Sequence, residues 1–145
     1  MSGLYRILEG KLDLAEAVRA VAGPDRGAIS TFLGTARDHH GGRRVIRLEY
    51  HAYRPMAEAT LRTIGSEIEE RFGTPHVAIL HRIGVVSIGE VSVIVAVATA
   101  HRNEAIEACR FAIERLKAIA PIWKKEHYEN GAGWIEGASP DPTAT

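Results

Sequence analysis

The residues best suited to chemistry lie in one stretch of the chain, residues 100–126. The stretch is typical of a strand end, one apolar helix and a turn after a proline. Its cationic side chains are those of His101, Arg102, Lys117, Lys124 and Lys125. Because these cations lie near both ends of the predicted helix, the stretch predicts a binding site for an anionic ligand.

His101 and Arg102 stand where a predicted buried strand is followed by a helix N-terminus. Backbone N–H groups and the helix dipole favour an anion at such a position, and an arginine adds a bidentate clamp. The alternative is a solvated pair, or one that forms a salt bridge with Glu104. The residue pattern is compatible with either role.

Lys117 falls on the flank of the predicted apolar stripe of this helix, four residues after Ile113 and eleven after Ile106. Burial of a lysine lowers its pKa, and such a lysine can act as an acid, a base or a nucleophile near neutral pH. The alternative is a side chain whose stem covers the core while its ammonium group reaches water.

Two further groups of residues are candidates for ligand binding. Lys124 and Lys125 follow a tryptophan in a segment that Pro121 predicts to be a rigid turn, although solvated surface lysines are the alternative. Phe32 and Arg37 lie at and just past a predicted strand end, where functional groups are often placed on a rigid scaffold. A single arginine in a polar loop can equally be solvated.

Periodicity and turn signals outline the elements that must position these residues. Helices are predicted over residues 14–21, 55–72 and 103–120, the last with Asn103 as its N-cap. Strands are predicted over residues 5–8, 27–34, 76–83, 85–88 and 91–100, with another from Val45 in which Ile46, Leu48 and Tyr50 face the core. Residues 91–100 are apolar almost throughout, which predicts a central strand.

These elements alternate without internal repeats, which predicts the α+β class. At 145 residues and 46% hydrophobic composition, the chain is long enough for one domain with a substantial core. Residues 1–136 are predicted to form this domain. Residues 137–145 contain two prolines and no apolar periodicity, which predicts a flexible tail.

Composition argues against several classes of function. Eighteen basic residues balance eighteen acidic ones, so no overall field attracts nucleic acid or an anionic membrane. No apolar run approaches a membrane span, and no export signal is evident. The single cysteine, Cys109, fits a buried core position and a reducing compartment, so a cytoplasmic protein is expected. The seven histidines show no HExxH motif, and no metal site is predicted.

Five motifs occur in order along residues 27–134. They are GAISTFLGTARD, LEYHAYRPMAE, HRIGVVSIGE, AHRNEAIEAC and LKAIAPIWKKE. Together, in order and spacing, they resemble the family of the large, catalytic subunit of molybdopterin synthase. Several co-linear motifs are far more specific than any one of them.

The resemblance implies a sulfurtransferase of molybdenum cofactor biosynthesis with an α/β hammerhead fold, a form of α+β architecture with a mixed or antiparallel sheet. Such an enzyme converts cyclic pyranopterin monophosphate to the dithiolene-bearing pterin, molybdopterin. The sulfur is carried as a thiocarboxylate on the C-terminal Gly-Gly of a small ubiquitin-like subunit. Two large subunits form the homodimer core of a heterotetramer, and no resident cofactor is implied.

The resemblance also implies roles for individual residues. Lys117 and Lys124 match the two catalytic lysines of the family's LK and WK segments. The residues expected to bind substrate are Arg37, His101, Arg102, Phe32, Met56 and Lys125. Family members often carry a basic residue shortly after the W-x-E segment that serves a neighbouring subunit, whereas here Gly137 and Ala138 follow Glu136.

Two other functions fit the same basic cluster. One is a non-catalytic module that binds an anion such as a pterin phosphate, and the other is a dimeric scaffold. A helix of about 15 residues separates its ends by roughly 20 Å, so His101 and Lys117 of one chain are not expected to hold the same small anion. Instead, His101 and Arg102 hold phosphate at another part of an extended pocket or complete a neighbouring subunit's site.

Overall fold

The computed structural model describes residues 3–129 and 131–136, which form three helices and eight strands. The helices are α1 (Leu14–Val21), α2 (Arg54–Phe72) and α3 (Arg102–Ile119). The strands are β1 (Leu4–Glu9), β2 (Ala28–Thr35), β3 (His39–His40), β4 (Arg43–Ala52), β5 (Val77–Ser87), β6 (Val91–Thr99), β7 (Ile122–Tyr128) and β8 (Gly131–Glu136). The α+β prediction is confirmed. The predicted tail, residues 137–145, lies outside the described residues.

One mixed sheet organises the chain, with strand order β2-β6-β5-β4-β7-β8. These neighbours pair antiparallel. Strand β1 lies parallel to β5, and the two-residue β3 pairs with β4. The sheet therefore places strand β7, which carries Lys124, directly beside β4.

The core lies on both faces of the central strand β6, as its apolar sequence predicts. Val93, Val95 and Val97 face one cluster, which includes the buried sides of α2 and α3. Ile94, Ala96 and Ala98 face a second cluster that includes α1. Cys109 lies in the first cluster at 4% exposure, so it is a core residue. Among the described residues, no helix is long and apolar enough to span a membrane.

The two strands predicted over residues 76–88 are one strand, β5. Gly84 was expected to mark a break, but it continues the strand with a φ of +88°. Residues 78–83 pair with β1, whereas Gly84 begins the pairing with β4. The glycine therefore allows a change of partner without ending the strand, because it tolerates this left-handed backbone angle.

The prediction that Ile46 faces the core is wrong. The pairing of β4 with β7 shifts between Val45 and Arg47, which indicates a β-bulge. A bulge adds one residue and changes the side-chain alternation beyond it. Val45 is consequently buried at 1% exposure, while Ile46 is 44% exposed. Leu48 is buried as predicted.

The segment after Pro121 is a strand rather than the predicted turn. Helix α3 ends at Ile119, and Ala120 takes extended geometry in front of the proline, as the residue before a proline prefers. From Ile122 the chain joins the sheet as β7, with Lys124 opposite Tyr50 of β4. Strand geometry then turns Lys124 and Glu126 to one face and Lys125 to the other.

Helix α3 begins two residues earlier than an N-cap at Asn103 predicts. His101, not Asn103, is its N-cap, and His101 makes no side-chain hydrogen bond to the helix. The Thr99 hydroxyl donates to the His101 carbonyl over 2.5 Å, which fixes the turn between β6 and α3. The backbone at His101 is extended, and helical geometry starts at Arg102.

Candidate functional site

A pocket of about 400 Å³ lies between the C-terminal half of α3, the end of β2 and the paired strands β4 and β7. Four of the predicted site residues line it: Phe32, Arg37, Lys117 and Lys124. Residues that sequence reasoning did not assign to a site also line it, among them Tyr50, His81, Ser92 and Glu126. A pocket of this volume suits a small-molecule ligand.

Lys117 reaches the pocket from the last turn of α3. Ile113 and Leu116 of the same helix also line the pocket, so the lysine stands at the edge of the apolar stripe. Lys117 is exposed as a whole residue, but partial desolvation of its ammonium group lowers its pKa. Among the side chains that the structure describes, none forms a salt bridge with Lys117. Its ammonium group is therefore available to a ligand.

Lys124 is half-buried on β7 and also lines the pocket. Its pKa is lowered chiefly by burial and further by the charges of Lys117 and Arg37, while Glu126 acts in the opposite direction. The lining thus holds three basic side chains, Arg37, Lys117 and Lys124, against the one carboxylate of Glu126. This excess of positive charge favours an anionic ligand.

The end of β2 forms another side of the pocket and requires a glycine. A Cβ atom at Gly34 would lie 2.6 Å from Cγ1 of Val93 on β6. Ser92 donates to the Gly34 carbonyl over 3.3 Å. This close approach of β2 and β6 sets where Phe32 and the exposed Arg37 enter the pocket.

His81 is a buried pocket residue that sequence reasoning missed. Its Nδ1 lies 2.8 Å from the Arg82 carbonyl, so Nδ1 carries a proton and donates. The Tyr50 ring packs against it edge to face, with centroids 5.1 Å apart. Burial lowers the pKa of His81 to about 4, with a contribution from the Lys117 charge. The available signal was a histidine directly after the apolar run of residues 77–80 in the strand predicted over residues 76–83.

The lowered pKa of His81 predicts a loss of stability in mild acid. In the unfolded chain, His81 binds a proton below its ordinary pKa of about 6.5, whereas in the folded chain it does so only near pH 4. The free energy of unfolding therefore decreases as the pH falls from 6.5 to 4. The loss attributable to His81 is about 3 kcal/mol. We expect His81→Asn to flatten this part of the stability curve in urea unfolding measured from pH 7 to pH 4.

An unchanged slope for His81→Asn between pH 6.5 and pH 4 would contradict the assignment of a neutral, buried His81.

The pocket does not include four of the predicted site residues. Met56 is 55% exposed in the first turn of α2. Lys125 lies on β7 next to Lys124, but on the opposite face. His101 lines a separate depression of about 320 Å³ at the other end of α3, and Arg102 is the exposed first residue of that helix.

The length of α3 explains this separation. The helix has 18 residues, which corresponds to roughly 27 Å at 1.5 Å per residue. Arg102 and Lys117 lie 15 positions apart on this helix, so their backbones are roughly 22 Å apart, close to the separation expected from the sequence. Within one chain, the two groups of cations cannot hold the same small anion.

The pocket also lacks the ligands of a metal centre. Across residues 3–129 and 131–136, no group of three or more histidine, cysteine or acidic side chains is close enough to hold a metal ion.

Comparison with known proteins places the chain in a family. Residues 7–119 match the family model described as MoaE protein. The chain is 47% identical over 131 residues to the molybdopterin synthase catalytic subunit of Halalkalibacterium halodurans, a match that covers 90% of this chain and 84% of that protein.

Solved structures agree with this match. A crystal structure of molybdopterin synthase from Staphylococcus aureus superposes with a TM-score of 0.85 at 39% identity, covering 90% of this chain and 95% of that one. A complex of subunits 1 and 2 of the molybdopterin-converting factor from Helicobacter pylori superposes with a TM-score of 0.66 at 27% identity, covering 88% and 86%. The chain belongs to the MoaE family.

Proposed function

We propose that this protein is the catalytic subunit of a molybdopterin synthase. It transfers sulfur from the thiocarboxylated C-terminus of a small ubiquitin-like subunit to cyclic pyranopterin monophosphate and so makes the dithiolene of molybdopterin. The observation that carries the proposal is the pocket in which Lys117 and Lys124 face one ligand volume. The family membership supports it, since the relatives named above are molybdopterin synthase subunits.

The charges of the pocket suit both partners of this reaction. The pterin substrate carries a phosphate, and the small subunit presents a thiocarboxylate, so both are anions. Arg37, Lys117 and Lys124 provide the positive charge that attracts them. The small subunit is the proposed protein partner, which the two-subunit complex from Helicobacter pylori supports.

The two lysines suit different parts of the reaction. Attack by the thiocarboxylate sulfur forms a C–S bond to the pterin side chain, displaces an oxygen from that side chain and leaves a neutral thioester. Negative charge develops on the acyl oxygen when water attacks this thioester, and the Lys124 ammonium stabilises that charge. Lys117 transfers a proton at the pterin side chain. Its lowered pKa brings the neutral and charged forms closer in energy, which general acid–base catalysis requires. Hydrolysis of the acyl intermediate by water then returns the small subunit with an ordinary carboxylate.

His101 and Arg102 are proposed to act on a neighbouring subunit's pocket. They lie at the far end of α3 from Lys117, and Arg102 is exposed there. In a homodimer, such residues can complete the partner's site for the substrate phosphate. The proposed assembly is a heterotetramer with this dimer at its centre, located in the cytoplasm. Residues 1–136 are proposed as the catalytic domain.

Reconstitution tests this function directly. The protein, the thiocarboxylated small subunit and cyclic pyranopterin monophosphate are combined, and molybdopterin is measured after oxidation to a fluorescent pterin. We expect product only when all three components are present, and none with a small subunit that ends in a plain carboxylate. Binding of the pterin without any product would contradict the proposal and favour a non-catalytic module that binds pterin phosphate.

A further inference from the structure

The pocket contains a buried carboxylate that the proposed mechanism does not yet use. Glu126 is 4% exposed on β7. Burial of an ionised carboxylate is costly unless hydrogen-bond donors replace the lost water. The groups around Glu126 therefore decide whether it can remain an anion.

Two side chains donate hydrogen bonds to Glu126, and Oε1 accepts both of them. Nδ1 of His40, on β3, lies 2.7 Å from this oxygen. The hydroxyl of Tyr128, two residues along β7, donates to it as well. Because an ionised carboxylate only accepts hydrogen bonds, the His40 proton lies on Nδ1. The guanidinium of Arg43 stacks over the Tyr128 ring at 3.6 Å and covers this side chain from outside.

These contacts keep Glu126 ionised. Burial raises the pKa of the carboxyl, but the hydrogen bonds from Tyr128 and His40 and the charge of Lys124 outweigh burial and lower it. The phenol of Tyr50 also faces Glu126, and its own pKa is raised, mainly by burial. The hydrogen bonds thus maintain a negative charge inside an otherwise cationic pocket.

The charge of Glu126 acts on Lys124. Residues 124 and 126 are two positions apart on β7, so their side chains lie on the same face of the strand. Both line the pocket. Burial, Lys117 and Arg37 all lower the pKa of Lys124, and Glu126 is the group that raises it. The fraction of Lys124 in the ammonium form consequently depends on how closely the Glu126 carboxylate is held to it.

We propose that His40 and Tyr128 are positioning residues for sulfur transfer, which hold the Glu126 carboxylate in place on the face of β7 that it shares with Lys124 and thereby favour the ammonium form of Lys124. Neither residue lines the pocket, so each acts through Glu126 rather than on the substrate. This inference rests on the proposed function for its catalytic meaning. The charge coupling itself can be measured without substrate.

The first experiment titrates the lysines of the full chain by NMR after reductive ¹³C-methylation. The chain has four lysines, Lys11, Lys117, Lys124 and Lys125, whose signals are assigned with single Lys→Arg variants. We expect Tyr128→Phe and His40→Ala to lower the pKa of Lys124, and Glu126→Gln to lower it further. His40→Asn should restore much of the wild-type value, since its amide can donate to Glu126.

His127→Asn is the matched control. His127 follows Glu126 on the opposite face of β7, and it pairs with a different carboxylate, that of Glu49, over 3.0 Å. The control should leave the Lys124 titration unchanged. Lys124 titrating alike in the wild type, Tyr128→Phe, His40→Ala and Glu126→Gln would overturn the proposal.

The second experiment follows turnover against pH in the reconstituted system. Loss of the Lys124 ammonium form ends activity at alkaline pH, so the alkaline limb should move to lower pH in Tyr128→Phe and His40→Ala. At the wild-type midpoint of that limb, kcat should fall about three- to tenfold. An equal loss at every pH would indicate a merely structural role and contradict the inference.

The two experiments separate this inference from the proposed function. A wild-type protein that makes no molybdopterin, while the Lys124 titration shifts as expected, would defeat the function and leave the charge coupling standing. A wild-type protein that turns over normally, with no titration shift in the variants, would defeat the inference alone.

Discussion

Replacing either pocket lysine with alanine is expected to lower the rate of molybdopterin formation by at least about a hundredfold. Positioned proton transfer typically contributes 10²–10⁴-fold, and loss of one donor to a developing anion costs about 10²–10³-fold. Lys117→Ala removes the proposed proton carrier, and Lys124→Ala removes the cation next to the acyl group. Initial rates in the reconstituted system, with each substrate varied in turn, measure both losses.

The fold should survive both substitutions. Burial lowers the pKa of each lysine, which means that the folded state disfavours the ammonium form relative to water. Removing the charge is therefore not expected to destabilise the protein. Thermal unfolding should be close to wild type, and both variants should still bind the small subunit.

Lys11→Ala is the matched control for the lysine variants. Lys11 lies outside the pocket and is exposed, with Glu90 at 3.6 Å as its ionic partner. Its loss should leave turnover unchanged. Normal turnover by Lys117→Ala or Lys124→Ala would refute the catalytic assignment. A purely scaffolding role would instead make Lys117→Met neutral or stabilising, with ligand binding intact.

A mixed dimer of two inactive variants is expected to recover about half of the wild-type activity. The first chain carries Lys117→Ala, and the second carries His101→Ala with Arg102→Ala, each pure dimer being about a hundredfold less active. If His101 and Arg102 serve the neighbouring pocket, one pocket of the mixed dimer receives both lesions and the other receives none. Two different affinity tags isolate the mixed dimer for rate measurements.

A second mixed dimer, for which the cross-subunit proposal predicts low activity, complements this experiment. A wild-type chain is paired with a chain that carries all three substitutions. If the two cations act across the interface, both pockets are damaged and activity stays low. If they act within their own chain, the wild-type pocket is complete and about half of the activity remains. Half-activity in this pairing and none in the first would contradict the cross-subunit proposal.

Local signals in the sequence predict much of the fold. The apolar stripes define all three helices, and the apolar run in β6 identifies the central strand. The errors arise where pairing between distant residues overrides a local signal. Gly84 resembles a strand break but lies at a change of strand partner. The bulge that exposes Ile46 exists only because β4 pairs with β7. The same pairing draws the segment after Pro121 into the sheet.

The residues of the candidate site likewise fall into those that the sequence predicts and those that depend on distant pairing. Phe32, Arg37, Lys117 and Lys124 were identified from the family resemblance, and the pocket contains all four. His81 and Glu126 were missed, since their place in the pocket depends on strand register and not on a local motif. The partners of Glu126 illustrate this point. His40 lies 86 positions away in the chain, and only the fold brings the two together.

The most direct test of the central claim follows the sulfur atom through one turnover. The protein is mixed with one equivalent of thiocarboxylated small subunit and with pyranopterin, and the intact mass of the small subunit is recorded over time. Transfer replaces one sulfur by one oxygen at its C-terminus and places that sulfur in the pterin. We expect this exchange in the wild type only when pyranopterin is present, and not in Lys117→Ala or Lys124→Ala. Exchange at the same rate without pyranopterin, or in both lysine variants, would contradict sulfur transfer in this pocket.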